Sequence, residues 1–367
     1  MDLSDYRNRI DEIDKEIVQL FEGRMETSEA IANYKKDNNL PIFYSGREDQ
    51  VIKKVKSYLK NPQLMESAED LYRCIMKISR AYQQKKMSAF KTLNIVYQGV
   101  PGAYSDIALT EFFGENFENG INKINVKTWQ DVFAYLEDEK INYGVLPIEN
   151  SSTGGIAEVY DLLRNGNYYI AGEKKVKVSH YLLGTKGAKI EDIKYVYSHP
   201  QALLQCEKFL NNFPDWSIIP YNNTAASVKL IKEKGDKSFA AIGSIEAKNI
   251  YDLDILSPNI NFNKNNYTRF IIISKDEPSK SGDKISLVLS IKNESGALFN
   301  ILKIFSRNNI NMVKIESRPI IRKPWEYFFY IDFEGNINQD IIKLSIEEIK
   351  KESSYFKLLG NYKADNS

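Results

Sequence analysis

Two cations near the N-terminus have a spacing that suits anion binding. Arg24 and Lys35 are eleven residues apart, which is close to three whole turns of an α-helix, so both side chains project from one face about 16 Å apart. Arg24 also continues a stripe of apolar residues, where a charge is costly unless a ligand or partner compensates it. The pattern predicts an anion-binding pocket between the two cations.

Arg7 is placed differently on the same predicted helix. It precedes Arg24 by seventeen residues, which corresponds to about 25 Å along the axis and roughly 100° around it. Arg7 therefore cannot enter that pocket from the same chain. If it is functional, a second copy of the helix running antiparallel must supply it, so the sequence argues for an intertwined dimer.

The stretch NYTRF (266–270) is a second candidate for chemistry. Thr268 and Arg269 stand at the start of the apolar run FIIIS, although neither a hydroxyl nor a guanidinium stabilises a buried strand by itself. Both side chains can donate hydrogen bonds to an anionic ligand. The local pattern leaves open what these two polar side chains serve.

Small and hydroxyl-bearing residues follow five predicted strands where helices begin. The junctions are GVPGAYS, NSSTGG, SHPQ, NNTA and SIEA. Each is typical of an ordinary helix N-cap, and Ser198 to Gln201 has the spacing of a capping box. Several helix N-termini converging on one cleft would also bind a carboxylate, because their backbone N–H groups are unpaired and carry partial positive charge.

The elements that must position these residues fall into three segments. Residues 1 to about 88 read as three helices, and the first carries apolar residues at heptad spacing: Leu3, Tyr6, Ile10, Ile13, Ile17 and Leu20. Residues 92 to about 275 alternate short β-rich runs with helices, which predicts an α/β domain. After the linker DEPSKSGD, residues 284 to 363 have the β-α-β-β-α-β order of a ferredoxin-like domain.

Polar residues on the second and third predicted helices are further candidates. The second helix opens with Ser45-Gly46-Arg47-Glu48, a capping box that explains Glu48 without any function. A cation such as Arg47 in the first turn opposes the helix dipole, which favours a ligand-binding role. On the third helix Ser79 and Gln83 are one turn apart and face the same way, although each alone is typical of a solvated surface.

Composition limits the class of protein. Fifty basic and forty-nine acidic residues among 367 give a net charge of +1, so no broad field attracts nucleic acid or an anionic membrane. Cys74 and Cys206 have no metal-binding or redox spacing, no apolar signal follows Met1, and the apolar runs are strand-sized. We expect a soluble cytoplasmic protein with neither a metal site nor a cofactor.

Four motifs together resemble one enzyme family. GVLPIENSSTGGI (144–156), SHPQALLQC (198–206), NYTRF (266–270) and ESRP (316–319) are similar to those of the bifunctional chorismate mutase/prephenate dehydratases of bacterial phenylalanine biosynthesis. The resemblance covers nearly the whole chain. It implies an all-α, three-helix mutase domain (1–90), a two-lobed α/β dehydratase domain resembling periplasmic binding proteins (92–275), and an α+β ferredoxin-like ACT domain (283–363).

For the mutase, the resemblance implies a site that binds the dicarboxylate chorismate with cations and assists its rearrangement to prephenate. Lys35, Glu48 and Gln83 would be catalytic. Arg24, Arg47 and Ser79 would bind the substrate together with Arg7 of the partner subunit. One departure is visible: Tyr44 occupies the place where the family often has an Asp, which leaves open how the substrate hydroxyl is held.

For the dehydratase, the resemblance implies that Thr268 is catalytic, hydrogen-bonding or protonating the hydroxyl that leaves prephenate. Arg269 would serve a substrate carboxylate or an ion pair between the lobes. The remaining residues implied in the cleft are Glu149, Asn150, Ser151, Ser198, His199, Gln201 and Thr224.

The ACT domain implies feedback control, with L-phenylalanine bound at a dimer interface. The residues implied for this site are Gly296, Ala297, Leu298, Glu316, Ser317 and Arg318. Removal of residues 284–367 is then expected to leave an active enzyme that is insensitive to phenylalanine. The family also implies a homodimer or a higher homo-oligomer.

Two alternatives stay open at this point. A transcriptional regulator would combine a helical DNA-binding head with a two-lobed effector domain, but residues 1–91 carry 17 basic and 15 acidic residues, and the first helix is too long for a helix-turn-helix element. A degenerate mutase head that only dimerises is disfavoured by the retained cations.

Overall fold

The computed structural model describes residues 2–37, 45–88, 92–114, 120–277, 282–321 and 323–365, with side chains described throughout except at 32, 35–37, 45–50, 80, 81 and 83–88. The chain divides after Thr92 into two compact units.

The first unit consists of three α-helices, as the sequence predicts. They are α1 (Leu3–Asp37), α2 (Ser45–Ser57) and α3 (Met65–Ser88). Both α1 and α2 pack against α3, and Met25, Ile52 and Met76 are buried among them. A short 3₁₀ turn precedes α3, where Asn61 Oδ1 accepts a hydrogen bond from the backbone of Gln63.

The heptad stripe of α1 lies on the surface of the chain. Its six apolar side chains are between 42% and 74% exposed: Leu3, Tyr6, Ile10, Ile13, Ile17 and Leu20. A contiguous apolar stripe of this length on a soluble protein usually marks an interaction surface.

The second unit begins with two α/β lobes. In chain order the elements are β1 (Leu93–Gln98), α4 (Tyr104–Phe113), β2 (Ile121–Val126), α5 (Trp129–Leu136), β3 (Tyr143–Asn150), β4 (Gly154–Gly155), α6 (Ala157–Asn165), β5 (Tyr169–Lys177), β6 (Tyr181–Gly184), β7 (Tyr195–Ser198), α7 (Pro200–Gln205), α8 (Glu207–Leu210), β8 (Ser217–Pro220), α9 (Thr224–Lys234), β9 (Phe239–Gly243), α10 (Ile245–Tyr251), β10 (Asp254–Ser257) and β11 (Tyr267–Ser274).

Each lobe is built on its own sheet. In lobe 1 the strand order is β2-β1-β3-β11-β5, with β4 paired to β3, and in lobe 2 it is β10-β6-β9-β7-β8. The chain therefore leaves lobe 1 after β5 and returns to it as β11. Residues 178–180 and 258–266 connect the lobes and hydrogen-bond to each other, from Val178 N to Asn266 O and from Ile260 N to His180 O.

The predicted ferredoxin-like domain follows. Its elements are β12 (Lys284–Ser290), α11 (Ala297–Arg307), β13 (Met312–Pro319), β14 (Tyr327–Glu334), α12 (Asp340–Glu352) and β15 (Tyr355–Tyr362), and its sheet order is β13-β14-β12-β15. Together with the helical unit and the two lobes, this domain confirms the predicted multidomain fold class.

One face of the ACT sheet packs on lobe 1. Val288, Phe328 and Tyr330 share one hydrophobic core with Val159 and Leu163 of α6. Strand β15 also lies close to β5, since a Cβ at Gly360 would come within 2.4 Å of the carbonyl oxygen of Ile170. The ACT domain is thus part of the packing of lobe 1 and is not a loosely tethered module.

None of the described helices is long and apolar enough to cross a membrane. The described residues also contain no group of three or more His, Cys, Asp or Glu side chains that could hold a metal ion.

Candidate active sites

The helical unit brings two of the predicted mutase residues together. Arg24 of α1 is half-buried and its Nη1 donates a hydrogen bond to Oγ of Ser79, a buried residue on α3. Burial lowers the pKa of Arg24 below its ordinary value, but an arginine stays charged at any physiological pH. A fixed cation therefore stands between the two helices.

Of the other mutase candidates, only Arg7 has a side chain in the described part of the structure. Arg7 is exposed near the start of α1. Lys35, Arg47, Glu48 and Gln83 lie on the three helices, but their side chains are outside the described part of the chain, as is the whole of Tyr44.

A cavity of about 210 Å³ is lined by residues of both lobes and of a segment that connects them. Thr268 and Asn150 come from the strands of lobe 1, whereas Gln201 and Thr224 come from helices of lobe 2. His180 lines it from the connecting segment. The cavity thus contains five of the predicted cleft residues, because His199 lines it as well.

Helix N-termini converge on this cavity. Tyr104 begins α4, Ile156 directly precedes α6, and Thr224 begins α9. None of the described residues that line it is Lys or Arg, so the positive potential available to a carboxylate comes from these helix ends and from hydrogen-bond donors.

The hydroxyl of Thr268 is held from one side. Asn150 Nδ2 donates to Thr268 Oγ1 at 3.0 Å, and also to Asn266 Oδ1 at 2.8 Å and to the carbonyl oxygen of Tyr267 at 3.1 Å. Register explains the contact, because Thr268 pairs directly with Asn150 across β11 and β3.

Two histidines line the cavity, and both have a ring nitrogen engaged. His199 Nδ1 accepts a hydrogen bond from the backbone of Gln201 at 3.3 Å, which leaves its Nε2 as the N–H donor of a neutral ring. His180 Nε2 lies 2.9 Å from Gln205 Oε1. Burial lowers the pKa of His199 and lowers that of His180 to about 4.

The capping-box interpretation of Ser198 is wrong. His199, one residue later, is the N-cap of α7. Ser198 is instead fully buried and donates from its Oγ to the carbonyl oxygen of Ile242 on β9, at 2.9 Å. Its side chain therefore joins two strands and does not line the cavity, contrary to the expected contact with substrate.

Arg269 also lies outside the cavity lining. Its guanidinium is 7% exposed and is in ion-pair contact with Glu149 at 2.6 Å, Glu173 at 2.9 Å and Asp332 of the ACT domain at 2.9 Å. Of the two roles considered for Arg269, the arrangement matches an ion pair and not a substrate contact. The pair joins lobe 1 to the ACT domain, and not lobe 1 to lobe 2.

The side chains of Glu149 and Ser151 likewise contact other groups of the protein. The Glu149 carboxylate binds Arg269 and Lys314. Ser151 Oγ accepts from the backbone of Tyr267 at 2.9 Å and lies 3.3 Å from the carbonyl oxygen of Asn265. Both residues support the strand that carries Thr268, and neither lines the cavity, contrary to the sequence prediction.

The six predicted phenylalanine-site residues lie on two elements. Gly296, Ala297 and Leu298 stand at the start of α11, where Gly296 has a φ of 84°. On β13 the side chains alternate: Glu316 and Arg318 face lobe 1, where Arg318 Nη2 contacts Asp161 Oδ2 at 3.0 Å, whereas Ser317 is exposed. Ser317 therefore faces away from Glu316 and Arg318 on this strand.

Sequence reasoning missed four residues of the dehydratase site. Tyr104, His180 and Gln205 line the cavity, and Asn266 lies behind Asn150. Asn266 and Gln205 stand within the quoted motifs NYTRF and SHPQALLQC, so the motifs contained the signal. Tyr104 stands in the quoted junction GVPGAYS, whereas His180 carries no spacing pattern and only the folded chain brings it to the cavity.

These features define a class of protein: a two-site enzyme, with a cationic site in a helical unit, a cleft between two α/β lobes, and an attached ACT-type domain. Three family descriptions match successive segments of the chain, namely chorismate mutase type II (6–84), prephenate dehydratase (95–278) and ACT domain (285–350).

Relatives that combine both activities match over the full length. A bifunctional chorismate mutase/prephenate dehydratase from Buchnera aphidicola subsp. Schizaphis graminum is 35% identical over 100% of this chain and 97% of the relative. One from Aquifex aeolicus is 32% identical over 98% of each. The chain belongs to the bifunctional chorismate mutase/prephenate dehydratase family.

Solved structures agree for the second unit. A prephenate dehydratase from Arthrobacter aurescens, in complex with L-Phe, has a TM-score of 0.67 and 25% identity over 74% of this chain and 90% of that one. GqqA, described as a quorum-quenching acylase, has a TM-score of 0.66 and 27% identity over 74% of this chain and 98% of that one, which illustrates that this fold alone does not fix a reaction.

The chain is accordingly an enzyme of phenylalanine biosynthesis that converts chorismate to prephenate and prephenate to phenylpyruvate, with an ACT domain for regulation. Membership sets aside the transcriptional regulator, and the matching mutase segment sets aside a head that only dimerises.

Proposed function

We propose that the dehydratase reaction takes place in the cavity between the two lobes, with Thr268 assisting departure of the ring hydroxyl. The bond from the ring to its carboxylate breaks and releases carbon dioxide, and its electron pair enters the ring. In the same event the bond from the ring to the hydroxyl breaks with its pair on oxygen. One proton from solvent completes the water that leaves, and the ring becomes aromatic.

The observation that carries this proposal is that Thr268 lines the cavity while Asn150 Nδ2 donates a hydrogen bond to its Oγ1. A fixed hydroxyl donor aimed at an oxygen that gains negative charge stabilises the transition state more than the substrate. Thr268 donates a hydrogen bond in this step and undergoes no net change. Loss of such a donor typically lowers kcat about 10²- to 10³-fold.

Two substitutions at Thr268 test its role. Thr268→Val removes the hydroxyl at nearly constant shape, and Thr268→Ser keeps it. We expect Val to lower prephenate turnover about 10²- to 10³-fold and Ser to retain most of it. Prephenate turnover that survives in the Val variant would refute the assignment of Thr268.

The two carboxylates of prephenate are proposed to bind at the helix N-termini that line the cavity. Gln201 and Thr224 offer side-chain donors at two of these ends, and His199 offers Nε2–H. Neutral donors suffice here because a helix N-terminus carries about half a positive charge. Thr224→Val should therefore raise KM for prephenate more than it lowers kcat.

The mutase site is proposed to be shared between two copies of the chain. Arg24 is fixed between α1 and α3 by Ser79, whereas Arg7 is exposed farther along α1 beside an uncovered apolar stripe. An antiparallel second α1 would cover that stripe and bring its own Arg7 to Arg24. Lys35 and Gln83 would donate to the ether oxygen, Glu48 would orient the substrate hydroxyl, and Arg47 would hold a carboxylate.

Subunit complementation tests the shared site. Arg7→Ala and Arg24→Ala homodimers should each be inactive as mutases. If Arg7 acts in trans, each mixed dimer has one site with both arginines intact, so random mixing should restore about a quarter of the wild-type activity. If both arginines act within one chain, mixing restores nothing.

The ACT domain is proposed to mediate feedback by L-phenylalanine at an interface between two ACT domains. The start of α11 offers room for a ligand, since a Cβ at Gly296 would meet no atom within 4 Å, and Ser317 is exposed on the edge strand β13. Calorimetry with L-phenylalanine, with the D-enantiomer as control, should show selective binding. Failure to bind would remove phenylalanine from this role.

The remaining features of the proposal concern the molecule as a whole. We propose domain bounds of 1–90, 92–275 and 283–363, a homodimer or higher homo-oligomer in the cytoplasm, and no nucleic-acid or membrane partner. The near balance of charge, +1 overall, supports the last point. Sedimentation of the purified chain would test the oligomeric state.

A further inference from the structure

Thr268 stands at one end of a continuous chain of hydrogen-bonding side chains. From its hydroxyl the chain runs through the amides of Asn150, Asn266 and Gln205 to the ring of His180. It starts in lobe 1, passes through both connecting segments and includes α7 of lobe 2. Asn266, Gln205 and His180 are 1%, 8% and 2% exposed, so water does not compete for these contacts.

The orientation of the Asn150 amide follows from one backbone contact. Its Oδ1 accepts a hydrogen bond from the N–H of Ser152 at 2.9 Å, and a backbone N–H can only donate. The amide nitrogen of Asn150 must therefore face Thr268, and it too can only donate. The described part of the chain offers the Thr268 hydroxyl hydrogen no acceptor, so this hydrogen is left for the cavity.

The orientations of the next two amides and the tautomer of His180 follow in the same way. Asn266 Oδ1 accepts from Asn150, so its Nδ2 donates to Gln205 Oε1 at 3.1 Å. Gln205 Oε1 also lies 2.9 Å from His180 Nε2, which must then carry the hydrogen. The backbone of Ser152 thus determines, through three amides, which tautomer His180 adopts.

We propose that Asn150, Asn266, Gln205 and His180 are positioning residues of the dehydratase, which keep the Thr268 hydroxyl an acceptor toward the protein and a donor toward the departing oxygen. The inference rests on the role of Thr268 proposed above. Hydrogen bonds in such a chain polarise and strengthen one another. Asn150, which the sequence suggests as a substrate ligand, acts here by orienting Thr268.

Kinetic measurements on an apolar variant of Asn266 test the hydrogen-bond chain. Asn266 does not line the cavity, so Asn266→Leu should leave KM for prephenate within about threefold of the wild-type value. We expect kcat to fall about 10- to 100-fold, which is less than the 10²- to 10³-fold expected for loss of the Thr268 hydroxyl. Asn361→Leu is the matched control. Asn361 is a buried asparagine of β15 that hydrogen-bonds only to backbone atoms, none of them in the proposed chain, and its loss should change kcat less than about threefold.

A double-mutant cycle separates positioning from folding. In a Thr268→Val background, adding Asn266→Leu should lower kcat by a further factor of less than about two, because the hydroxyl that Asn266 orients is gone. The proposal would be overturned if kcat of the double variant fell by the product of the two single-variant factors. If the Thr268→Val single variant leaves kcat unchanged, the proposed role of Thr268 is wrong and so is the proposed hydrogen-bond chain. If Thr268→Val lowers kcat but Asn266→Leu does not, only the proposed hydrogen-bond chain is wrong. Gln205→Leu replaces Asn266→Leu should the latter not fold.

Nitrogen NMR of the imidazoles gives an independent readout. The chain has only two histidines, so a His199→Gln variant assigns the signals of His180. We expect the Nε2–H tautomer near pH 7, and an Nδ1–H tautomer or a charged ring would overturn the proposal. In Asn150→Asp, whose carboxylate can only accept, the amides should invert and His180 should shift to Nδ1–H. An unchanged His180 tautomer would mean that the orientation of the residue 150 side chain does not determine the orientation of the amides that lead to His180.

Discussion

Arg269 of the dehydratase lobe and Asp332 of the ACT domain form an ion pair, with Nη2 of the arginine 2.9 Å from Oδ2 of the aspartate. The same guanidinium binds Glu149 and Glu173. Burial alone would lower the pKa of Arg269, but the carboxylates of Asp332 and Glu173 outweigh it, so the pKa is raised. Because Arg269 follows Thr268 in β11, a change in the ACT sheet has a short path to the strand that carries Thr268.

Asp332→Asn should destabilise the second unit. The cluster contains three cations, Arg269, Lys284 and Lys314, and three acids that neutralise them. Removing one buried acid leaves an excess positive charge, which typically costs about 3 kcal/mol. Denaturant unfolding followed by tryptophan fluorescence measures the change.

The matched control is Asp340→Asn. Asp340 is an exposed acid of the same domain, paired only with Lys343 in the adjacent turn. Surface pairs of this kind contribute little, so its unfolding curve should coincide with that of the wild type. Equal effects of the two substitutions would contradict a special role for the buried cluster.

Truncation after Asp283 should inactivate the dehydratase by unfolding it. The ACT sheet covers part of the lobe 1 core, and Lys357 Nζ bonds to the carbonyl oxygen of Leu163 near the end of α6, at 2.9 Å. Removal exposes that core and strips Arg269 of Asp332. The structure thus changes the expectation, from sequence, of an active and insensitive enzyme.

Thermal unfolding and assays of both reactions test the truncation. The helical unit has its own core, so chorismate consumption should persist while prephenate turnover is lost. A truncated chain with full prephenate turnover at the wild-type unfolding temperature would show that lobe 1 does not need the ACT sheet.

Periodicity in the sequence was enough to predict the helical unit and the order of elements in the other domains. Heptad spacing placed Arg24 on the apolar stripe of α1, whereas in the structure that stripe is exposed and Arg24 contacts Ser79 of α3. The strand that starts with NYTRF is β11, with Thr268 at the cavity. Local patterns of this kind depend on neighbours in sequence, which the amino-acid order fixes directly.

Long-range partners were beyond such patterns. Arg269 pairs with Glu173 on β5 and with Asp332 on β14, and no spacing rule links three positions so far apart in the chain. The capping box at Ser198 failed because the imidazole of His199 caps α7 one residue later. Buried charges and hydrogen bonds depend on which sheets pack together, and periodicity does not report that.

Arg24→Ala should abolish the mutase and spare the dehydratase. The guanidinium contacts Ser79, and in the proposed site it binds a substrate carboxylate. Loss of a preorganised charged donor typically lowers kcat about 10²- to 10³-fold. Separate assays with chorismate and with prephenate measure the two activities. Arg9→Ala is the control, because Arg9 lies on the same helix and pairs only with Glu12 in solvent.

The two mutase variants have distinct expected outcomes. Arg9→Ala should consume chorismate at the wild-type rate, since an exposed pair of this kind contributes little. Loss of prephenate turnover in a folded Arg24→Ala chain would contradict independent sites for the two reactions.

Acid should destabilise the second unit through His180. Burial lowers its pKa to about 4 in the folded chain, against about 6.5 when unfolded. Between these values the unfolded chain binds the extra proton, so the neutral ring's contribution is fully present above pH 6.5 and is lost as pH falls toward 4, by about 3 kcal/mol in all.

Comparison with His180→Gln isolates this effect from that of the carboxylates. Unfolding free energies measured from pH 7 to pH 4 should fall more steeply for the wild type than for the variant, and the difference should be confined to that window. His199→Gln is the matched control, because His199 is exposed and should contribute a smaller slope. Parallel curves for the wild type and His180→Gln would mean that His180 accepts a proton in the folded chain as readily as in the unfolded one.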